Sequence, residues 1–408
     1  MSDKVLVIVF GTGSCALGQI RCAHDAGYDC INVVGKTPNR FSGNSKYCKK
    51  VVAPDPFKEE QKCVDFTLSM IKSLGRKPYL FFADDEWMML VGSHEQTFEE
   101  IAVIMQPHWE GLVQLFDKKN LYELASKCDV PHPVTLNLET IKGLDEHLKG
   151  MTLPCIIKPQ LTVSQNELAS KKIKAFHRTQ KFETAEAAVE WAEGLLSNEI
   201  DFPVVLQEFI PGDATSLYTL TSYSDKDGHL VAGSIGYKLR QFPPDAGRIT
   251  SGVLHYDEKL HFYAEKFLNA VKFNGIANTE FKYDARDGEF KLMEINARFG
   301  AWNYSTLYSG INLMKIAVDD YNGIKYDGPT FKKDRDGHIW YNFAQDFGCA
   351  VILNKREEFK KNRLTVSQWK KSLGKNHFEG IWDWKDPMPF LSYVWYLFVD
   401  KIKGNFVA

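Results

Sequence analysis

The 408-residue sequence lacks the motifs that mark several large enzyme classes. It has no GxxxxGK[ST] phosphate loop, no HExxH zinc motif, and no arrangement of Ser, His and Asp or of Cys and His typical of a nucleophilic hydrolase. Its eight cysteines include no CxxC pair and no zinc-ligand spacing, so we expect reduced, mostly buried thiols. These absences argue against Walker-type ATPases, metalloproteases, zinc modules and hydrolases.

The sequence also has almost no net charge and no long apolar run. It carries 50 Lys and Arg against 52 Asp and Glu, a net charge of −2, so we expect no general attraction to nucleic acid or to an anionic membrane. No apolar run reaches the length of a membrane span, and the first strand starts too early to leave room for a targeting segment. A cytoplasmic protein with small-molecule partners is expected.

What is present is a globular composition, 44% hydrophobic and 25% charged, long enough for two or three domains. Val5–Phe10 predicts a buried strand that leads through a Gly-rich turn (Gly11–Gly18) and a helix to a second strand, Cys30–Val34. The turn is not GxGxxG, which disfavours a nicotinamide oxidoreductase. A third strand, Tyr79–Ala83, precedes Asp84–Glu86, which either cap the next helix, the preferred interpretation, or bind a co-substrate amine.

The most informative stretch is Glu280–Asn303. Two β-like runs, Thr279–Tyr283 and Phe290–Ile295, are separated by a turn rich in Asp and Gly, which predicts a hairpin. Glu294, Asn296 and Arg298 alternate with apolar residues, so a strand places all three on one face. Glu280, on the first strand, is expected to join them. Carboxylate and amide oxygens suit Mg²⁺, and an arginine fork suits phosphate or carboxylate oxygens. The alternative is an exposed sheet face with a salt bridge.

The segment MEINARFG (293–300) resembles the metal-binding strand of ATP-grasp carboxylate–amine ligases. That family has Glu, an apolar residue, Asn, any residue and Arg, followed by a small residue. The resemblance covers roughly residues 1–325 and implies an ATP-grasp fold (α/β and α+β) with an N-terminal Rossmann-like, pre-ATP-grasp parallel-sheet domain. It also implies two Mg²⁺ ions, with Mn²⁺ as a substitute, held by Glu280, Glu294 and Asn296, and Arg298 as a catalytic residue.

The resemblance further implies lysines at the ATP phosphates. Lys118 begins the ATP-grasp region, and Lys158 matches the lysine at the α-phosphate. A lysine in an apolar run is costly without an anionic partner, which favours the same role for Lys158. The following loop has no glycine, although many family members are Gly-rich there. The second phosphate lysine is therefore assigned to Lys174, with Lys171 and Lys172 as alternatives.

Two further segments complete the expected site. The strand, Gln-Glu, apolar pair and Pro-Gly-acid pattern at 204–213 resembles the hinge that holds adenine and ribose. The residues assigned to it are Gln207, Glu208, Phe209, Ile210 and Asp213. Downstream, Lys238 and Arg240 lie in a segment bounded by Gly and Pro, and regular alternation would point both at a nascent acyl phosphate. A solvated basic loop is the alternative for that segment.

Domain boundaries follow from these motifs. We expect a domain over 1–116, an ATP-grasp domain of two subdomains (117–200 and 201–326), and a separate C-terminal extension over 327–408. Its aromatic helix, Leu391–Lys401, is expected to pack on the body or on a second subunit rather than on a membrane.

The resemblance implies an ATP-dependent ligase that activates a carboxylate as an acyl phosphate and joins it to an amine. D-aspartate ligase and predicted carboxylate–amine ligases are the nearest subgroups. The alternatives are a kinase or carboxylase-like use of the ATP site and a non-catalytic nucleotide-binding module. Homodimers are common in the family, and the sequence leaves the oligomeric state and the substrates open.

Overall fold

The protein is described from a computed structural model over residues 4–36, 41–159, 180–243, 247–352 and 363–402. It divides into two compact units. The larger unit comprises Met1–Val113, Asp213–Phe281 and Ile295–Ala408, and the smaller unit comprises Gln114–Gly212 and Lys282–Glu294. The boundaries at 116, 200 and 326 predicted from the motifs stay predictions.

The N-terminal part of the larger unit is a parallel sheet with helices between its strands. Its five strands are β1 (Leu6–Phe10), β2 (Asp29–Val34), β3 (Lys49–Val52), β4 (Tyr79–Phe82) and β5 (Val103–Ile104). Their order is β3-β2-β1-β4-β5, and every neighbouring pair is parallel. All of β1 is buried, as expected for an apolar strand covered on both faces. The predicted βαβ unit is confirmed.

A second sheet runs through the rest of the larger unit. It contains β10 (Leu217–Ser224), β11 (Leu230–Phe242), β12 (Arg248–Leu254), β13 (Gly275–Asp284), β14 (Glu289–Asn296), β15 (Ile339–Tyr341) and β16 (His377–Glu379). The strand order is β14-β13-β10-β11-β12-β15-β16. The tips of β13 and β14, within Lys282–Glu294, are counted with the smaller unit. The predicted hairpin is present, with both strands longer than expected.

The smaller unit contains a four-stranded sheet. Its strands are β6 (Thr135–Leu138), β7 (Cys155–Pro159), β8 (Gln180–Phe182) and β9 (Val204–Glu208), in the order β6-β9-β7-β8. All neighbours are antiparallel. Buried apolar side chains from the strands, including Ile157 and Leu206, pack with Ala188 and Ala192 of the helix Ala185–Leu196.

The helices of the described residues begin and end as follows. In the first half they are α1 (Gly13–Asp25), α2 (Glu60–Ser73), α3 (Asp85–Ser93), α4 (Glu95–Glu99), α5 (Trp109–Phe116), α6 (Lys118–Lys127), α7 (Leu144–Leu148) and α8 (Ala185–Leu196). In the second half they are α9 (Glu258–Ala270), α10 (Tyr304–Tyr308), α11 (Leu313–Tyr321), α12 (Phe343–Phe347), α13 (Val366–Ser372) and α14 (Met388–Ile402). None of them combines the length and apolarity needed to cross a membrane.

The sequence predicts a separate C-terminal extension over 327–408, and in the structure two strands of this segment, β15 and β16, belong to the second sheet. β15 pairs with β12, and β16 pairs with β15, so both strands extend the second sheet. The buried Asp386 also accepts hydrogen bonds from Ser45 Oγ (2.6 Å) and Lys46 N (3.0 Å) in the N-terminal part. The C-terminal segment is therefore built into the larger unit, and this three-residue pairing is too short to be read from the sequence.

All eight cysteines are free, and five of them are buried. Burial raises the pKa of the Cys15 thiol to about 11, so this thiol stays protonated and unreactive at neutral pH. These observations agree with the expectation of structural thiols.

Candidate active site

In the larger unit, Arg298 and Asp85 form a side-on ion pair. Arg298 Nε lies 2.6 Å from Asp85 Oδ1, and Nη2 lies 2.8 Å from Oδ2. Asp85 is the first residue of α3, directly after the carboxyl end of β4 and Asp84. Arg298 follows β14, and its Nη2 is 3.5 Å from Asn296 Oδ1. The predicted arginine thus reaches the ligand edge of the parallel sheet.

Asp84 has a different role from Asp85. Its Oδ1 accepts a hydrogen bond from Trp87 N at 3.1 Å, so Asp84 is the N-cap of α3. The preferred interpretation of this acidic run is confirmed for Asp84. The side chain also lies against Gly11, where a Cβ would be only 2.3 Å from Asp84 Oδ2 and where φ is +103°. Burial raises the pKa of the Asp84 carboxyl to about 6.

Packing explains the small residue that follows the Glu-x-Asn-x-Arg pattern. A Cβ at Gly300 would lie 2.1 Å from Asn278 Oδ1, so only glycine fits without moving that buried amide. Trp302 is also buried and packs with Ile249 and Trp340. The residues just after the motif therefore help to anchor the end of the strand.

Lys238 and Arg240 have different carboxylate partners. Lys238 Nζ lies 3.3 Å from Glu280 Oε2, and the lysine side chain is 9% exposed. Arg240 instead binds Asp346. The β11–β12 register shifts between Lys238 and Arg240 and again after Arg240, and the orientation of both cations toward an acyl phosphate stays a prediction. Such a bulge interrupts the period of two.

Asp213 begins the next stretch of the larger unit. Its Oδ1 accepts hydrogen bonds from Thr215 N (2.9 Å) and Thr215 Oγ1 (2.6 Å), so it caps the short 3-10 helix Ala214–Ser216. The predicted ribose contact is a separate matter and stays a prediction.

In the smaller unit, the structure brings together Lys118, Lys158 and Glu294. Lys118 Nζ lies 3.9 Å from Glu294 Oε2. Burial, followed by the neighbouring Lys118 ammonium, lowers the pKa of Lys158 to about 7, against a smaller raising effect of Glu294. Lys158 Nζ donates to Gln207 Oε1 at 3.1 Å. Lys118 and Lys158, 40 positions apart in the sequence, thus lie beside each other and near Glu294, and we call these three residues the lysine corner. The sequence analysis assigned the second phosphate lysine to Lys174 instead.

Gln207 is held in place on both sides. Its amide nitrogen donates to Tyr122 Oη (3.1 Å) and to Thr135 Oγ1 (2.8 Å). Tyr122 Oη in turn donates to the carbonyl of Met293, one residue before Glu294. This network fixes the position of Gln207 Oε1, which accepts the hydrogen bond from Lys158. The sequence motifs did not indicate that Tyr122 takes part in it.

The carboxylate of Glu208 is buried and already paired. Its Oε1 lies 2.5 Å from Arg286 Nη2, and its Oε2 accepts from Val134 N at 3.2 Å. Arg286 also makes a two-pronged contact with Asp284. The side chain of Glu208 therefore connects β9 to the hairpin turn.

Phe209 and Ile210 follow β9. The Phe209 ring lies between two ammonium groups, with Lys181 Nζ 4.1 Å and Lys282 Nζ 4.9 Å from its centroid. Ile210 is buried. The remaining lysine candidates, Lys171, Lys172 and Lys174, lie outside the described residues.

The chain is similar to known ATP-grasp proteins. A family model described as "ATP-grasp in the biosynthetic pathway with Ter operon" matches residues 227–337. A D-aspartate ligase of Enterococcus faecium (strain Aus0004) is 28% identical over 331 residues, which cover 78% of this chain and 77% of that protein.

Solved structures show the same fold at low identity. An L-amino acid ligase from Bacillus licheniformis superposes with a TM-score of 0.58 and 14% identity, covering 83% of this chain and 78% of that one. The biotin carboxylase domain of Hydrogenobacter thermophilus 2-oxoglutarate carboxylase, solved with MgADP and bicarbonate, has a TM-score of 0.57 and 13% identity, covering 83% and 74%.

Proposed function

Because this chain has the ATP-grasp fold and its resemblance to ATP-grasp ligases is confirmed, we propose that it is an ATP-dependent carboxylate–amine ligase. It activates a carboxylate as an acyl phosphate and joins the acyl group to an amine, releasing ADP and phosphate. At least one substrate is an amino acid, as the names of the D-aspartate ligase and L-amino acid ligase relatives suggest.

The lysine corner of the smaller unit is the observation that carries this proposal. Lys158 is largely removed from water, lies beside the ammonium of Lys118, and has a pKa lowered to about 7. Two neighbouring cations in such a place are unfavourable unless an anion binds them. The phosphate oxygens of ATP are an anion of the right kind, so Lys118 is the second phosphate lysine in this proposal, in place of Lys174.

The proposed metal ligands remain Glu280, Glu294 and Asn296. Their donor set, two carboxylates and an amide oxygen, fits the hard oxygen ligands that Mg²⁺ prefers. Each carboxylate is within salt-bridge reach of a lysine, Lys238 for Glu280 and Lys118 for Glu294. When bound, Mg²⁺ would neutralise phosphate charge and orient the phosphate groups for in-line transfer.

Arg298 and Asp85 suit the two charges of an amino acid. A guanidinium fork binds a carboxylate or an acyl phosphate, and a carboxylate binds an ammonium. In the proposed mechanism, Arg298 holds the acid that is activated and the charge that develops on it. Asp85, 47% exposed, binds the ammonium group of an amino-acid substrate at the edge of the parallel sheet.

The proposed reaction has two steps. A carboxylate oxygen of the substrate forms a bond to the γ-phosphorus of ATP, and the bond to the β-phosphate oxygen breaks to release ADP. The amine nitrogen next forms a bond to the acyl carbon, the carbon–oxygen bond to phosphate breaks, and the amine loses a proton. The positive side chains around these groups serve mainly to position them and to neutralise charge.

The test is ADP and phosphate release from MgATP with amino acids added singly and in pairs. Hydroxylamine is added in a parallel series, because it converts an acyl phosphate to a hydroxamate and so identifies the activated acid without its amine. We expect one acid to give hydroxamate and one amine to replace hydroxylamine, with an amide product found by mass spectrometry.

Other outcomes separate the alternatives. ADP release with phosphate retained on the acceptor would identify a kinase. Release that requires bicarbonate would identify a carboxylase-like enzyme. Nucleotide binding with no release for any acceptor would contradict the ligase proposal and favour a binding module.

A further inference from the structure

Asp346 is a buried carboxylate with no part in the reaction outlined above. It lies in α12, and its side chain is 0% exposed. Four donors surround it: Arg240 Nε at 2.9 Å and Thr250 Oγ1 at 2.8 Å on Oδ1, and Arg240 Nη2 at 2.6 Å and Trp369 Nε1 at 2.7 Å on Oδ2. Each oxygen accepts two hydrogen bonds, which satisfies an ionised carboxylate.

Arg240 is correspondingly fixed in orientation. Its Nε and Nη2 grip Asp346, and its Nη1 donates to Ser372 Oγ at 2.8 Å. These contacts use three of the five N–H groups of the guanidinium. Among the described residues the other two, one on each terminal nitrogen, have no acceptor, and the side chain is 18% exposed. A fixed guanidinium with two unused donors is suited to bind an anion.

The path of the chain explains why Arg240 reaches this acid. The β11–β12 register shifts on both sides of Arg240, and the irregular ladder gives the arginine a partner different from that of Lys238. The acid comes from α12, just after β15, which pairs with β12. Trp369 and Ser372 come from α13. Apart from Thr250, the residues that bind Arg240 and Asp346 thus all come from the C-terminal segment.

Stabilisation of the fold does not by itself account for the buried ion pair between Arg240 and Asp346. Replacing a buried ion pair by packed apolar residues is often neutral or stabilising, because desolvation offsets the attraction. What a fully bonded bidentate pair does provide is a defined position for the guanidinium plane. That position matters only if the remaining N–H groups meet a ligand.

We propose that Asp346 is a positioning residue, supported by Trp369, that holds Arg240 so that its two remaining N–H groups bind an oxyanion, the phosphoryl group being transferred. Asp346, Trp369 and Ser372 would thus complete an anion site of the larger unit. This inference rests on the proposed function for the identity of the anion, but the existence of the anion site can be measured without turnover.

The test compares Asp346→Asn with Asp386→Asn. Asp386 is a matched control, because it is also buried, lies in the same C-terminal segment and accepts two hydrogen bonds, but contacts no arginine among the residues that the structure describes. The probe is inorganic phosphate, and its dissociation constant is obtained from the rise in the thermal unfolding midpoint in the presence of MgADP. kcat and KM are measured as well wherever an activated acid has been found.

We expect Asp346→Asn to weaken phosphate binding and to lower kcat at least tenfold, with the ADP dissociation constant within twofold of the parent. Arg240→Lys should do the same, because an ammonium cannot reproduce the fork. Asp386→Asn should lower the unfolding midpoint and leave both quantities unchanged. If Asp346→Asn does not fold, Trp369→Phe removes only one of the four hydrogen bonds to Asp346, and a smaller loss, of about threefold in phosphate affinity, is expected.

Unchanged phosphate affinity in Asp346→Asn or Trp369→Phe, even with a lower unfolding midpoint, would overturn the inference. It would show that Asp346 and Trp369 only stabilise the fold. No phosphate binding by the parent protein would overturn it too. Failure of the proposed function is recognised separately, as an absence of ADP release in the parent protein with every acid, and the phosphate titration still decides the role of Asp346.

Discussion

The carboxylate of Asp85 makes a two-pronged contact with the guanidinium of Arg298, with each oxygen within 2.8 Å of one nitrogen. This is the geometry in which an arginine binds a substrate carboxylate. A substrate acid that uses the same fork must therefore displace Asp85 or share the guanidinium with it.

The first prediction concerns this pair. Asp85→Asn keeps the size of the side chain but removes the charge that we assign to the substrate ammonium. We expect KM for the amino-acid substrate to rise at least tenfold, with KM for ATP within twofold, in steady-state ADP-release assays. The exposed Asp65 of α2 offers a control, Asp65→Asn. An unchanged KM with a lower unfolding temperature would mean that Asp85 only tethers Arg298.

The second prediction is a proton uptake on nucleotide binding. The pKa of Lys158 is about 7 in the free protein, below its usual 10.5, and a bound phosphate would raise it. At pH 7.5 ADP binding should therefore take up a fraction of a proton, and affinity should fall as pH rises. Calorimetry in two buffers of different ionisation enthalpy measures this uptake. Lys158→Met should abolish it, and Lys149→Met, at an exposed site of the same unit, should not.

The same shift has a defined sign for stability. The unfolded chain keeps the proton on this lysine up to about pH 10.5, whereas the folded protein releases it near pH 7. The unfolded state binds more protons between these values, so the contribution of Lys158 to the free energy of unfolding rises from pH 7 to 10.5. If the difference in the free energy of unfolding between the parent and Lys158→Met does not change with pH across this range, the burial of the Lys158 ammonium is contradicted.

The third prediction tests the metal assignment. Glu294→Gln removes a carboxylate from the proposed Mg²⁺ ligands and should lower ATP turnover at least a hundredfold, roughly the range that removal of a charge-stabilising group costs. Circular dichroism should show an intact fold. Glu289→Gln, on the same strand, is the control. Turnover that survives in Glu294→Gln would remove this residue from the metal site.

The fourth prediction concerns two buried acids, Glu208 of β9 and Asp284 of β13. Arg286→Met leaves Glu208 and Asp284, both largely buried, without their shared cation. We expect a loss of about 2 kcal/mol in the free energy of unfolding, the cost of leaving buried charged groups unsatisfied. Urea unfolding measures this loss. The double variant with Glu208→Gln should recover part of it, and no recovery would show that Arg286 acts through Asp284 alone.

Sequence patterns predicted the elements whose signals are local. The apolar run of β1 and the hairpin around Gly288 each lie within a single short segment, and both are present. Asp84 as a helix cap is another local signal. The family motif likewise assigns Glu294 and Lys158 to the nucleotide site because its spacing is read along the chain, and that assignment stays a prediction.

Relationships across long sequence separations were not accessible in this way. Lys118 and Lys158 meet because β7 and α6 belong to the same unit, and no local pattern encodes that meeting. The bulge beside Arg240 is invisible in a sequence that alternates regularly. The partner of Arg240, Asp346, lies 106 residues away in a five-residue helix that follows a three-residue strand.

The pairing of β15 with β12 and of β16 with β15 has a practical consequence for shortening this protein. A chain cut at residue 326, the limit that the motifs suggest, would expose the backbone N–H and C=O groups of β12 along an unprotected edge. Open edges of this kind pair readily with other chains. A truncated protein should therefore aggregate during purification, and inactivity of such a fragment would say nothing about catalysis by the intact enzyme.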